Sequence, residues 1–230
     1  MLKLLFISEF SESFTNKVLK GIVNYSSQRG DWSICRMPSH YKNTVGIEGI
    51  LKWAKGWGTN AVIGTFENKD EICALKNEGI AVVAQDYKKR FDNVPNLTAD
   101  YIGTGRMAAS YFIDRGFQNF GFFGLNDVCW SDERCEGFKK EAEGKGFGKT
   151  FFKYILQDIN HFWFYEAKSL SEWLKVLPKP IGIMTCDDNQ GSLLIEACRS
   201  AGIHIPSEVS IIGVDNDELL CNISTPPLSS

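Results

Sequence analysis

The stretch that decides the fold lies at residues 181–216 and reads IGIMTCDDNQGSLLIEACRSAGIHIPSEVSIIGVDN. Ile181–Met184 and Val209–Val214 are short, continuous apolar runs, a pattern typical of strands buried on both faces of a parallel sheet. Between them, apolar side chains recur at helical spacing, at Leu193, Leu194, Ala197, Cys198 and Ala201. The stretch therefore predicts a strand–helix–strand unit whose two strands are parallel neighbours.

Polar residues follow both predicted strands at the point where each ends. Asp187 and Asp188 follow the first strand, and Asp215 and Asn216 follow the second. Because ligands of open parallel sheets bind outside the carboxyl ends of the strands, we expect these side chains to face a ligand. Carboxylates accept hydrogen bonds from hydroxyl groups, so the pattern favours a hydroxyl-rich ligand.

The same alternation of strand-like and helix-like segments runs along the whole chain and restarts after Gly116, a predicted helix C-cap. We therefore predict an α/β fold with two Rossmann-like lobes and parallel sheets, an N-terminal lobe at residues 1–116 and a C-terminal lobe at residues 117–230. After Val214 only a short polar stretch containing Pro226 and Pro227 follows. This stretch indicates either that the second lobe is truncated, which we favour, or that it ends in a polar tail.

Bulk properties restrict the class of protein. The 230 residues carry a formal net charge of −3, which argues against a nucleic-acid-binding surface within this chain. The seven cysteines are an odd number without a CxxC pair, as expected of free thiols in a reducing cytosol. The apolar start at residues 1–7 reads as a first strand and is too short for a signal peptide or a membrane span. We expect a cytoplasmic protein with no membrane partner.

The sequence contains no convincing catalytic or metal-binding set. The histidines at positions 40, 161 and 204 lack metal-ligand spacing, and no GxSxG motif or P-loop is present. Gly103-Thr-Gly105-Arg-Met-Ala108 matches the spelling of a dinucleotide site, but no strand ending in an acid follows about 20 residues later. We interpret this motif as a helix start rich in small residues, and we expect a non-enzymatic protein without cofactor or metal.

The segment from Trp130 to Phe138 leads from a predicted strand into a helix that Ser131 or Asp132 could cap. Arg134 would lie in the first turns of this helix, and Trp130 on an exposed loop before it. One interpretation is a solvated arginine and a packed tryptophan. The other is a sugar site, in which the guanidinium donates to sugar oxygens and the aromatic ring covers the C–H face of the ring.

Further candidates follow the predicted strands of the first lobe. Glu9 follows the first strand, Phe66 the third, and Asp86 the fourth, while Phe14 and Asn16 open the first helix. Each residue alone is ordinary. Because the carboxyl ends of parallel strands share one edge of a sheet, we expect these residues to line the same edge.

Taken together, these segments resemble the ligand-binding core of the LacI/GalR family of regulators, which is built like periplasmic binding proteins of type I. Within that family they are most similar to the sugar-sensing half of AraC-type xylose-operon activators. The segments that carry the resemblance are Trp130-x-x-Glu133-Arg134-x-x-x-Phe138, Gly202-Ile-His-Ile-Pro206 and Ile212-Gly213-Val-Asp215-Asn216.

The resemblance implies an effector-binding portion of a bacterial transcriptional regulator, whose lobes close on a small neutral monosaccharide, a pentose more than a hexose. By position, Arg134 matches the family's sugar-binding arginine, Asp187 and Asp188 its acid/amide pair, and Asp215 the acid of its Gly-x-Asp motif. It also implies a homodimer and a DNA-binding domain beyond Ser230, through which alone promoter DNA would be contacted. A transport-associated sugar-binding protein and a nucleotide-dependent α/β enzyme are the alternatives.

Overall fold

The computed structural model describes residues 1–8, 13–157 and 167–230, and it confirms an α/β fold with parallel sheets. The chain forms two compact units, Met1–Ala99 and Asp100–Ser230. None of the described helices combines the length and the apolar composition that a bilayer crossing requires.

The first unit is built on a five-stranded parallel sheet with strand order β2-β1-β3-β4-β5. Its strands are β1 (Leu2–Ser8), β2 (Trp32–Pro38), β3 (Ala61–Gly64), β4 (Ala81–Gln85) and β5 (Asn96–Leu97). Its helices are α1 (Ser13–Arg29), α2 (Ser39–Trp57) and α3 (Lys69–Asn77). Buried aliphatic side chains such as Ile7, Ile50 and Val62 join α2 and the sheet in one core, because burying apolar area is the main favourable term in folding.

The second unit contains a four-stranded parallel sheet with strand order β7-β6-β8-β9. Its strands are β6 (Phe120–Leu125), β7 (Phe151–Leu156), β8 (Ile181–Thr185) and β9 (Val209–Ile212). Its helices are α4 (Tyr101–Asp114), α5 (Cys129–Gly144), α6 (Ala167–Val176), α7 (Asp188–Ala201) and α8 (Glu218–Ile223). All residues of β6 and β8 are buried, as their continuous apolar sequences predict.

Helix α4 belongs to the second unit, so the division falls at Ala99–Asp100 rather than after Gly116 as predicted. Two glycines let α4 and α5 approach closely. A Cβ on Gly105 would lie 2.1 Å from the carbonyl oxygen of Arg134, and one on Gly137 would lie 2.1 Å from that of Ile102. The apparent dinucleotide motif thus lies at the start of α4, as predicted, and its Gly105 also serves helix packing.

The segment after β9 is structured, whereas the sequence indicated only a polar stretch. Helix α8 follows the turn at residues 213–217, and the chain then returns so that Ser229 forms a parallel bridge with Ile212. Leu228 is buried between Gly191 and Gly213, where a larger residue would collide with it. Leu228 therefore packs as part of the second unit's core.

Candidate functional site

Arg134 is the centre of the polar groups at the carboxyl ends of β6, β8 and β9. It projects from α5, and its side chain is only 6% exposed. The guanidinium donates a hydrogen bond to the carbonyl oxygen of Cys186, directly after β8, and pairs with Asp215 after β9, with 3.4 Å between Nη2 and Oδ1. The interpretation of Arg134 as a solvated helix residue is therefore wrong.

Two aromatic rings flank this guanidinium. Its central carbon lies 5.0 Å from the ring centroid of Trp130 and 5.1 Å from that of Tyr101, both within cation–π range. Helix α5 begins at Cys129, so Trp130 lies in its first turn and is half-buried, rather than on an exposed loop. The predicted caps are also wrong, because the Ser131 hydroxyl accepts from the Leu125 amide (3.0 Å) and fixes the end of β6 instead.

Asp187 is buried at the start of α7, where its carboxylate caps the helix by accepting from the amide of Gln190 at 2.9 Å. Burial raises the pKa of this carboxyl to about 7, and neighbouring Asp215 acts in the same direction. Arg134 and the Gln190 amide partly oppose this rise. At neutral pH, Asp187 can therefore donate as well as accept a hydrogen bond.

Asp188 faces a different part of the molecule. Its Oδ2 accepts from the backbone amide of Asp217 at 2.7 Å and lies 3.7 Å from the thiol of Cys221. Burial raises the pKa of Asp188 as well. Its carboxylate is thus engaged with the turn that precedes α8.

Asp215 and Asn216 form the centre of that turn, at residues 213–217. Both have positive φ angles, 99° and 47°, which are uncommon for residues other than glycine. The Asp215 side chain is 25% exposed, so it can contact Arg134 and a ligand. Asn216 is exposed, and its amide donates to the hydroxyl of Ser230 at 2.8 Å.

The candidates of the first unit lie in less uniform surroundings. Phe66, directly after β3, is buried beneath the ammonium group of Lys42, which lies 5.7 Å from the ring centroid. Asp86, directly after β4, is buried and pairs with Arg90 at 3.2 Å. In α1, Phe14 is half-buried and Asn16 is exposed. Glu9 lies outside the described residues.

Three further residues were not singled out by the sequence. Tyr101 lies beside Arg134. In the sequence it stands directly before the small residues of α4, a position that does not indicate a ligand-binding role. Ser8 ends β1 and Gln85 ends β4. The Ser8 hydroxyl and the Gln85 amide oxygen are buried and have no hydrogen-bond partner among the residues that the structure describes. Buried polar groups are normally paired, so these two atoms are candidates for ligand or water contact.

These features define the class of protein: an α/β protein of two units, with polar and aromatic side chains at the carboxyl ends of its strands. The family model described as "Periplasmic binding protein-like domain" matches residues 109–230, which is more than half of the chain. The chain therefore belongs to the periplasmic binding protein-like family.

Its relatives are transcriptional regulators. It is 28% identical over 178 residues to the xylose operon regulatory protein of Haemophilus influenzae, an alignment that covers 74% of this chain and 46% of that protein. The chain spans about half the length of the curated relatives it matches.

Two solved structures share the fold. One is a periplasmic binding protein/LacI transcriptional regulator from Alkaliphilus metalliredigens complexed with D-xylulofuranose (TM-score 0.70, 20% identity, 98% of this chain and 82% of that one). The other is the xylose-binding transcription activator xylR (TM-score 0.72, 20% identity, 99% of this chain and 56% of that one).

Proposed function

We propose that this chain is the effector-binding portion of a bacterial transcriptional regulator and that its effector is a small neutral monosaccharide, a pentose more than a hexose. The observation that carries the proposal is the buried guanidinium of Arg134, which contacts Asp215 and lies 5.0 Å and 5.1 Å from the ring centroids of Trp130 and Tyr101. Its Nε is buried and has no hydrogen-bond partner among the described residues.

The chemistry of this group of residues suits a sugar. Asp215 can accept hydrogen bonds from sugar hydroxyls, and Arg134 can donate to the hydroxyl and ring oxygens. Trp130 offers an aromatic face to the apolar C–H side of a sugar ring. Asp187, with its pKa near 7, adds a group that can donate or accept.

In the first unit we propose Phe14, Asn16, Phe66 and Asp86, together with Glu9, as further ligand-binding residues. Ser8 and Gln85 join this proposal because each has a buried polar atom without a partner among the described residues. The names of the relatives, which concern xylose regulation, xylose binding and D-xylulofuranose, favour a pentose.

The sugar would act by changing the balance between arrangements of the two lobes. A ligand shifts such a balance only through its different affinities for the two states. We propose that a cytoplasmic homodimer transmits this shift to DNA-binding domains outside this chain, through which promoter DNA is contacted. The regulator relatives favour this function over a transport-associated sugar-binding protein.

A thermal-shift panel tests the ligand class. D-xylose, D-ribose, D-glucose, ATP, NAD⁺ and a set of amino acids would each be added to the 230-residue chain. At about a hundred times its dissociation constant, the bound sugar should stabilise the fold by roughly 2.7 kcal/mol. A response confined to nucleotides or amino acids would refute the proposal, and a nucleotide response would favour the alternative of an α/β enzyme.

A further inference from the structure

The turn at residues 213–217 carries the ligand candidate Asp215 in a backbone conformation that is unfavourable for residues other than glycine. Asp215 and Asn216 are consecutive residues other than glycine, and both have positive φ angles. Such conformations persist only when the surrounding structure holds them in place. The contacts of this turn therefore decide whether Asp215 reaches Arg134.

Three hydrogen bonds, each donated by a backbone amide of the turn, hold the turn in place. The amide of Gly213 donates to the carbonyl oxygen of Ser229 at 2.7 Å, and that of Asn216 donates to the hydroxyl of Ser230 at 2.8 Å. The amide of Asp217 donates to Oδ2 of Asp188 at 2.7 Å. Asp188 is the one acceptor of the three that belongs to the ligand-facing end of β8.

The other oxygen of Asp188 faces the same turn. A Cβ on Gly213 would lie 2.2 Å from Oδ1, so only glycine allows the carboxylate to approach this closely. Asp188 is 1% exposed. Oδ2 is therefore held by the turn, while Oδ1 lies against Gly213 and has no hydrogen-bond partner among the described residues. The side chain exposes almost no surface to a ligand.

From this geometry we infer that Asp188 is a positioning residue, which acts on the ligand through Asp215 rather than by contact. Ser230 assists it by fixing Asn216. This inference rests on the proposed function, and it reassigns Asp188 from the ligand-binding role that the sequence pattern suggested.

A double-mutant cycle tests the inference. The affinity of the 230-residue chain for D-xylose is measured by calorimetry for Asp188→Ala, Asp215→Asn and the double variant. Loss of a hydrogen bond to a charged group predicts that Asp188→Ala weakens binding by about tenfold in the wild-type background. In the Asp215→Asn background the further loss should be less than about twofold, because coupled residues are not additive. Equal losses in both backgrounds, or no loss in either, would overturn the inference.

The matched control is Asp217→Ala. It removes the side chain that caps α8 by accepting from the amides of Leu219 and Leu220, but it keeps the amide that donates to Asp188. Sugar affinity should stay within about twofold of the wild type, since the tether remains. If Asp188→Ala does not fold, Ser230→Ala is taken through the same cycle, with the same two outcomes deciding.

Hydrogen exchange gives a readout that needs no ligand. The amides of Asn216 and Asp217 should exchange at least about tenfold faster in Asp188→Ala than in the wild type, because the bond that protects the turn is lost. Unchanged exchange would overturn the inference. If D-xylose binds no form of the protein, the proposed ligand fails, whereas the exchange result still decides whether Asp188 holds the turn.

Discussion

The carboxyl edges of the two sheets differ in how their charges are used. In the second unit, Arg134 pairs loosely with Asp215, and its Nε has no partner among the described residues. In the first unit, Lys42 and Glu71 form a buried pair at 2.9 Å, and Asp86 pairs with Arg90. Among the described residues, Arg134 at the second edge keeps a donor available to a ligand, whereas Lys42, Glu71 and Asp86 at the first edge are already paired.

The buried pair of the first unit serves the backbone around Phe66. Lys42 donates to the carbonyl oxygen of Thr65 at 3.2 Å, while Glu71 accepts from the amide of Glu67 at 2.9 Å. The pair therefore holds the turn after β3 that carries Phe66. The comparison teaches that the second edge is equipped to bind polar groups. At the first edge, the charges of Lys42, Glu71 and Asp86 are already paired, and the described groups that remain are the Phe66 ring and the neutral polar atoms of Ser8 and Gln85.

The largest effect is expected where α4 meets α5 beneath the Arg134 site. Gly105→Val would place a side chain against the carbonyl of Arg134 and should destabilise the second unit by about 3 kcal/mol or more. Urea denaturation measures this loss. Gly144→Ala is the control, because open space surrounds Gly144, and it should be neutral or stabilising by up to about 1 kcal/mol. Equal effects of both changes would contradict the packing argument.

The buried pair of the first unit should be next in size. Lys42→Met leaves the largely buried Glu71 without its cation and should cost roughly 2–3 kcal/mol. This is less than for a fully buried pair, because Glu71 is 14% exposed and keeps the Glu67 amide. Lys55→Met breaks an exposed pair with Glu78 and should cost less than about 1 kcal/mol. If urea denaturation gave the same loss of unfolding free energy for both variants, the Lys42–Glu71 pair would not stabilise the turn after β3.

A smaller effect is expected in the pH dependence of stability, through Asp187 at the second edge. Because the pKa of Asp187 is raised to about 7, the folded protein favours its protonated form. Its contribution to stability is complete below about pH 4 and is lost as the pH rises through 7. Asp187→Asn can still cap α7. As the pH rises from 5 to 8, its free energy of unfolding should therefore increase by on the order of 2 kcal/mol relative to that of the wild type. Urea denaturation at both pH values measures this, with the exposed cap variant Asp100→Asn as control. A pH-independent difference would contradict it.

Sequence reasoning succeeded where the signals are local. Helix α3 shows such a local signal, because Asn68 caps it by accepting from the amides of Asp70 and Glu71. The strands β1 and β8 were found from their continuous apolar runs. Helix α8 was missed because six residues are too short to show a helical period.

Features that depend on tertiary contacts could not be predicted from the sequence. The affiliation of α4 with the second unit follows from the close approach at Gly105, which the sequence does not display. The identity of Arg134 as a key residue was predicted, but its burial beside Tyr101 was not. Likewise, Asp187 and Asp188 are neighbours of the same type, and only the folded chain shows that they face different surroundings.

The most direct test of the central claim is a calorimetric titration of D-xylose into the wild type, Arg134→Ala and Arg134→Lys. Arg199→Ala is the matched control, because Arg199 is 71% exposed and pairs only with Glu196 among the described contacts of its side chain. Since removal of the buried Arg134 also costs stability, circular dichroism must first show that each variant is folded.

Arg134→Ala should weaken sugar binding by about ten- to several-hundred-fold, because charge-assisted hydrogen bonds to the ligand are lost. Arg134→Lys should recover only part of this loss, since a point charge does not replace the planar fork. Arg199→Ala should bind as the wild type does. If the folded Arg134→Ala protein bound D-xylose with wild-type affinity, Arg134 would not contact the sugar and the assignment of the site would be wrong.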